Sequence, residues 1–241
     1  TGFGRLRHLG VEIDVSAAVK ALGALDAWME RRYREIQRLP HPELYVPDHE
    51  EVIYLYGRSF FLKDQPLADG HRAAVDFFLG QLRKLWLKTD CRMCQAQGAL
   101  ALQRFGDTAT PRAILASLKE RSVSHEELGM FWRDTELSWW WYRAPIETQA
   151  TMVEAFAEVA QDMQAVDDCQ VWLLKQKQTQ DWKTTKATAD AIYALLLGGR
   201  NLLGSDALVE VALAGSAINP EHVEAGTGFY EQKFAPAAIK P

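Results

Sequence analysis

Cys91 and Cys94 stand three apart, a spacing that suits either half of a zinc site or a thiol–disulfide couple. No second Cys or His pair follows at finger or ribbon spacing, and no βαβ pattern surrounds the pair as a thioredoxin-like motif would require. The plain expectation is two small residues of a helix, one facing the core, with Cys169 apart from both. Three cysteines are odd in number and too few for a disulfide framework, so all three are expected as ordinary thiols. Paired acids occur at Glu50 and Glu51, Glu126 and Glu127, and Asp167 and Asp168, and a glycosidase needs two carboxylates flanking the scissile bond. Each pair also has a structural reason, because acids in the first turn of a helix favour its positive end. Trp139, Trp140, Trp141 and Tyr142 form an aromatic run whose flat, amphipathic rings could stack on sugars, fill a partner's groove or pack between domains. These four are the interaction candidates, read as core or interdomain packing. His8, His41, His49, His71, His125 and His222 are scattered without an H-E-x-x-H pattern, and G-x-x-x-x-G-K-S/T, G-x-G-x-x-G and G-x-S-x-G are absent. No catalytic, metal-binding or cofactor-binding residue is expected.

The elements that position these residues read as helices. The longest consistent stretch is 165–199, two amphipathic helices joined by a polar turn, KQTQDWKTT, in which Thr184 or Thr185 caps the second and Gly198 and Gly199 stop it. Val166, Cys169, Trp172, Leu173 and Leu174 stripe its first half, and Ala187, Ala191, Tyr193, Ala194 and Leu195 its second. Upstream, Asp14 or Ser16 starts a helix striped by Val19, Leu22, Leu25, Met29 and Ile36 that breaks at Pro40. Asp48 with Glu51 makes a capping box for a second helix, Ala74 to Trp86 stripe a third, and a fourth covers 91–105. Thr110 and Pro111 open a fifth, Ser124 with Glu127 caps a short sixth through Phe131, and Pro145 opens a seventh running to Gln161. The aromatic stretch 137–142 lacks helical period and reads as extended chain or loop. About eight helices in antiparallel hairpins, with no strict repeat, predict an all-α fold of the α/α-toroid type. Beyond 204 the pattern turns to β-prone runs, LVEVALAG and GTGFYEQKF, separated by the turn-rich SAINPEH, which predicts a short β-hairpin tail.

Composition narrows the function. The 241 residues are 48% apolar, and 27 basic against 32 acidic side chains leave a mixed net charge of -5 with no nucleic-acid footprint. Apolar runs such as 191–197 fall far short of the ~20 residues that cross a bilayer, so no membrane insertion is expected. The chain opens at Thr1, and we expect it to be a piece of a longer protein.

Three segments, WYRAPIETQATMVEAF (141–156), VWLLKQKQTQDWKTTKATADAIYALL (171–196) and EAGTGFYEQKF (224–234), resemble the thioester-domain region of bacterial α2-macroglobulins, in particular the large Bacteroidetes type. The likeness is strongest from about Ser124 onward. It implies an N-terminally truncated toroid over 1–203 and a strand tail over 204–241 that leads toward a β-sandwich domain. It further implies an endopeptidase-inhibiting trap of the periplasm or cell envelope, with proteases as targets and other domains of the parent chain as partners. The family's chemistry rests on Cys-Gly-Glu-Gln or Cys-Leu-Glu-Gln, in which thiol and amide close an internal thioester. Here the nearest match is Cys94-Gln95-Ala96-Gln97, which lacks the Glu and sits inside a predicted helix, so no thioester is expected at it. The reading is a non-enzymatic scaffold; the alternative is a carbohydrate-active toroid enzyme using paired carboxylates and the Trp139 to Tyr142 platform.

Overall fold

The structure, a computed structural model, describes residues 1–133, 144–179, 182, 184–197, 211–213 and 216–218. Contacts divide the chain into two units, Thr1–Gly198 and Gly199–Pro241. In the first, the helices are α1 (Gly2–His8), α2 (Ser16–Ile36), α3 (His49–Ser59), α4 (Asp69–Leu85), α5 (Arg92–Arg104), α6 (Ala109–Glu120), α7 (Pro145–Ala155), α8 (Met163–Thr179) and α9 (Thr185–Leu196). A short hairpin of β1 (Val123–His125) and β2 (Gly129–Phe131) lies between α6 and α7. The second unit holds β3 (Val211–Leu213) paired antiparallel with β4 (Ser216–Ile218). The fold is therefore mostly α with a short C-terminal β-hairpin.

Local chemistry sets the helix starts. The Asp14 carboxylate accepts the backbone N–H and the hydroxyl of Ser16, at 2.8 and 2.9 Å, and so opens α2. Asp48 and Glu51 form the expected capping box of α3. Thr184 rather than Thr185 caps α9, its Oγ1 accepting the Ala187 N–H at 3.0 Å. Pro145 occupies the first turn of α7, where its missing N–H costs nothing. At α6 the cap is Asp107, which accepts from the N–H groups of Ala109 and Thr110 and from the Thr110 hydroxyl. Thr110 and Pro111 consequently lie within the helix instead of at its cap.

Helices α3, α5, α7 and α9 pack on one another in that order, while α4, α6 and α8 each lie against this row. The inner helices have neighbours on several sides. Met93–Leu102 of α5 and Ile146–Ala155 of α7 are buried at every position. Arg5 of α1 joins the first and last members of the row, donating to the Tyr56 hydroxyl of α3 at 3.0 Å and to Asp190 of α9 at 2.6 Å. This is the helical-hairpin architecture expected from the sequence.

Three expectations are corrected, and one helix was not expected. Residues 124–131, read as a capped helix, form β1 and β2. The turn is closed by His125 Nδ1, which accepts the N–H groups of Glu127 and Leu128, and Gly129 follows with φ +75°. Helix α1 was not legible, since seven residues with three basic side chains carry little periodicity. In the tail, Val211 to Leu213 pair with Ser216 to Ile218, so SAI, read as turn, is strand; GTGFYEQKF lies outside the described residues. Finally, Leu25 and Leu174, placed in buried stripes, are 47% and 48% exposed. The other stripe residues of the central pair, including Val166, Cys169, Trp172, Leu173, Ala187, Ala191, Tyr193 and Ala194, are buried.

Candidate functional site

The interaction candidates Trp139, Trp140, Trp141 and Tyr142 lie outside the described residues, as do Gly198 and Gly199. The three acidic pairs are all placed, and no common cleft gathers them. Glu51 is fully buried, closing the α3 cap and accepting from Arg32 Nε at 2.7 Å and the Tyr45 hydroxyl at 3.0 Å. Burial and the neighbouring Glu51 push Tyr45 up to about 12. Glu50 is exposed at the start of α3, Glu126 and Glu127 are exposed in the β1–β2 turn, and Asp168 accepts from Gln164 within α8.

Cys91 and Cys94 form a disulfide, which corrects the expectation of free thiols. Only Cys169 remains free among the described residues, fully buried with its thiol pushed well above the usual range by desolvation and then by Asp168. Cys91 is the N-cap of α5, its Sγ accepting the Cys94 N–H at 3.1 Å. The sequence signal for this was the C-x-x-C itself, whose redox reading the missing βαβ context argued against. In the chain-entropy account a bridge over so short a loop stabilises by only about 2 kcal/mol, and helix α5 already fixes that loop. Since the Cys94 sulfur is bonded to Cys91 and Gln97 continues α5, the Cys94–Gln97 pair has no thioester geometry. The disulfide borders a cavity of about 410 Å³ whose walls include Arg32, Tyr45, Lys88 and Thr89.

The strongest electrostatic feature lies where the inner helices converge, and sequence reading missed it. Glu154 of α7 is fully buried. Its carboxylate accepts from Arg104 Nη2 of α5 at 2.7 Å, from the Tyr56 hydroxyl of α3 at 2.5 Å and from Arg5 Nη2 of α1 at 3.4 Å. Arg104 also pairs with Glu158, at 2.8 and 2.5 Å, and its guanidinium sits 4.1 Å over the Phe60 ring. Arg5 sits 4.7 Å over Tyr193, whose hydroxyl meets His8 Nδ1 at 2.9 Å. Burial, with Glu154 second, raises the phenols of both Tyr56 and Tyr193, keeping them neutral. His8, Glu154 and Glu158 could converge on a cation, but both carboxylates are already engaged by arginine. Saturated in this way, the cluster clamps α1, α3, α5, α7 and α9 together. Two arginines spread over a chain of 241 residues carry no sequence signature that pairs them with Glu154.

A second polar set ties α7 to α8 and α8 to α9. Gln149 Nε2 donates to the carbonyls of Met130 and Cys169, at 2.6 and 3.2 Å, and Gln170 Nε2 of α8 donates to Ala194 of α9 at 2.9 Å. Trp182 Nε1 donates to the Leu173 carbonyl at 3.3 Å, pinning the turn onto α8. Buried amides with such partners fix register as well as adding stability. Comparison of the sequence with protein-family profiles and with curated proteins finds no match.

Proposed function

We propose that this chain is a non-catalytic scaffold of a bacterial α2-macroglobulin-like endopeptidase inhibitor, in which it supplies the thioester-domain-like helical body without a thioester of its own. The observation that carries the reading is the block built by α7, α8 and α9. The two described stretches that bear the family resemblance, 145–156 and 171–196, pack on each other through α7 and α9, and within the block Gln149 ties α7 to Cys169 of α8, Gln170 ties α8 to α9 and Trp182 is bonded to Leu173. A scaffold that transmits force between neighbouring domains needs such a rigid body, and the arginine-saturated cluster at Glu154 serves rigidity rather than proton transfer. In this reading proteases and the other domains of the parent chain are the partners, and the compartment is the periplasm or cell envelope.

The test is to challenge the parent protein with trypsin, elastase and subtilisin and to compare cleavage of small chromogenic peptides with cleavage of a large protein substrate. Retained small-substrate activity with loss on the large substrate is the expected signature of trapping. Equal activity on both would remove the inhibitor reading. A polysaccharide screen of the chain itself is expected to show no turnover, and turnover abolished by Glu127→Gln or Asp168→Asn would replace the scaffold with an enzyme.

A further inference from the structure

We propose that the Cys91–Cys94 disulfide is a thiol-exchange site that reacts with a low-molecular-weight thiol entering through the cavity beside it. Both sulfurs' residues line this cavity of about 410 Å³, together with Arg32, Lys88 and Thr89. Cys91 is 9% exposed and Cys94 2%, so an incoming sulfur reaches Cys91 first. Cys91 Sγ already accepts the Cys94 N–H at 3.1 Å, and at the N-cap of the thirteen-residue α5 a thiolate there is favoured by the helix's positive end. A second observation points to a ligand. Thr89 is also 9% exposed, lines the same cavity, and its hydroxyl has no hydrogen-bond partner among the described residues. Buried hydroxyls are as a rule satisfied, so an unsatisfied one on a residue that lines the cavity leaves a bond for a bound sulfur to complete. A structural role explains the bridge poorly, because the entropic effect of a cross-link is smallest for the shortest loop.

The exchange balances as follows. A small-molecule thiolate attacks Cys91 Sγ, the Sγ–Sγ bond breaks, and its electron pair leaves on Cys94 Sγ, which takes up a proton. The product is a mixed disulfide on Cys91 and a thiol at Cys94. A second thiolate of the same class attacks the outer sulfur and expels Cys91 as a thiolate held by the Cys94 N–H. Two small thiols are oxidised to one disulfide while the protein's disulfide is reduced to a dithiol, and the reverse sequence restores it.

The experiment treats the full chain, folded and without denaturant, with glutathione, alkylates the freed thiols and maps them by peptide mass. Cys91 and Cys94 are expected to become alkylated together while Cys169 does not. Cys94→Ser, which has no bridge to attack, is given oxidised glutathione instead and is expected to hold a single glutathione on Cys91, the second glutathione leaving as a thiolate, and Thr89→Val is expected to slow the wild-type reaction several-fold with an unchanged circular dichroism spectrum. A thiol-terminated polyethylene glycol too large for the cavity is expected to react far more slowly. A bridge that resists glutathione until the chain unfolds, an adduct on Cys94, or a polymer thiol as fast as glutathione would each overturn the proposal, as would an unchanged rate in Thr89→Val. If Cys94→Ser does not fold, the transient adduct is trapped in the wild-type time course instead: on Cys91 it supports the proposal, and its absence there overturns it.

Discussion

Arg104 Nη2 and Glu154 Oε1 meet at 2.7 Å across fifty residues of chain, joining α5 to α7 where the carboxylate is sealed from water and the guanidinium nearly so. The Glu154 side chain is 0% exposed and that of Arg104 11%. Removing one member of such a pair strands a buried charge, so Glu154→Ala should cost roughly 3–5 kcal/mol. The pair Lys119–Asp162, at 49% and 27% exposure, is the internal control, and Lys119→Ala should cost no more than about 1 kcal/mol. Urea unfolding followed by circular dichroism separates the two; equal midpoints for both variants would contradict the clamp assigned to Glu154.

Gly129 combines two constraints. Its φ is +75°, and a Cβ built on it would run into the Asp168 carbonyl of α8. Backbone cannot move aside as a flexible side chain can, so Gly129→Ala should destabilise by more than about 1 kcal/mol. The loss should appear as a lower melting temperature together with weaker amide protection across β1 and β2, and a neutral substitution would show that the hairpin does not seat against α8 as described.

How much of this was legible follows from the range of each interaction. The capping box at Asp48 and Glu51, the cap at Thr184 and the proline start of α7 involve residues a few positions apart, and each was visible in the sequence. Where a local signal met tertiary competition it failed. Ser124 and Glu127 look like a capping box, yet the segment pairs as a hairpin because Gln149 takes the Met130 carbonyl and Trp132 Nε1 takes that of Leu118. The Glu154 cluster was invisible for the same reason: Arg5 lies 149 positions from its carboxylate, and α7 reads as polar at Glu147, Thr148, Gln149, Thr151 and Glu154 although all five are buried.

Glu147 makes pH dependence testable. Its carboxyl is raised above the usual 4.5, chiefly by burial, with Lys186 opposing and Asp190 reinforcing the shift. An acid with a raised folded pKa binds its proton more tightly folded than unfolded, so stability is greatest below 4.5 and declines as pH rises through the folded value. Glu147→Gln removes the cost of the buried charge. The variant should therefore melt higher than the wild type at pH 7 and show no such advantage at pH 4; the opposite ordering would mean that Lys186, 3.9 Å away, outweighs burial.

Trp172 is 4% exposed and stacks on Phe131 with centroids 6.1 Å apart and planes at 19°. Trp172→Ala should cost about 3–5 kcal/mol, the range for emptying a large aromatic site in a core. Trp182→Phe loses the bond to the Leu173 carbonyl together with one of the two fused rings, so at least the roughly 0.5–1.5 kcal/mol of the bond is expected. An unchanged denaturant midpoint in Trp172→Ala would remove α8 from the core.

The state of the sulfurs decides whether any covalent trapping chemistry resides in these residues. A thioester at Cys94 would need a free sulfur and a tight turn bringing the Gln97 side chain to it, whereas that sulfur is bonded to Cys91 and both residues lie in α5. Methylamine, which opens thioesters at the acyl carbon, should add no mass to the chain. Thiol titration in denaturant without reductant should find Cys169 alone, since burial hides it only in the folded state, and titration after reduction should find Cys91 and Cys94 as well. All three cysteines reacting before reduction would mean that the bridge is absent in solution. A methylamine adduct on Gln97 with a newly freed Cys94 would go further, giving the proposed scaffold a covalent chemistry of its own.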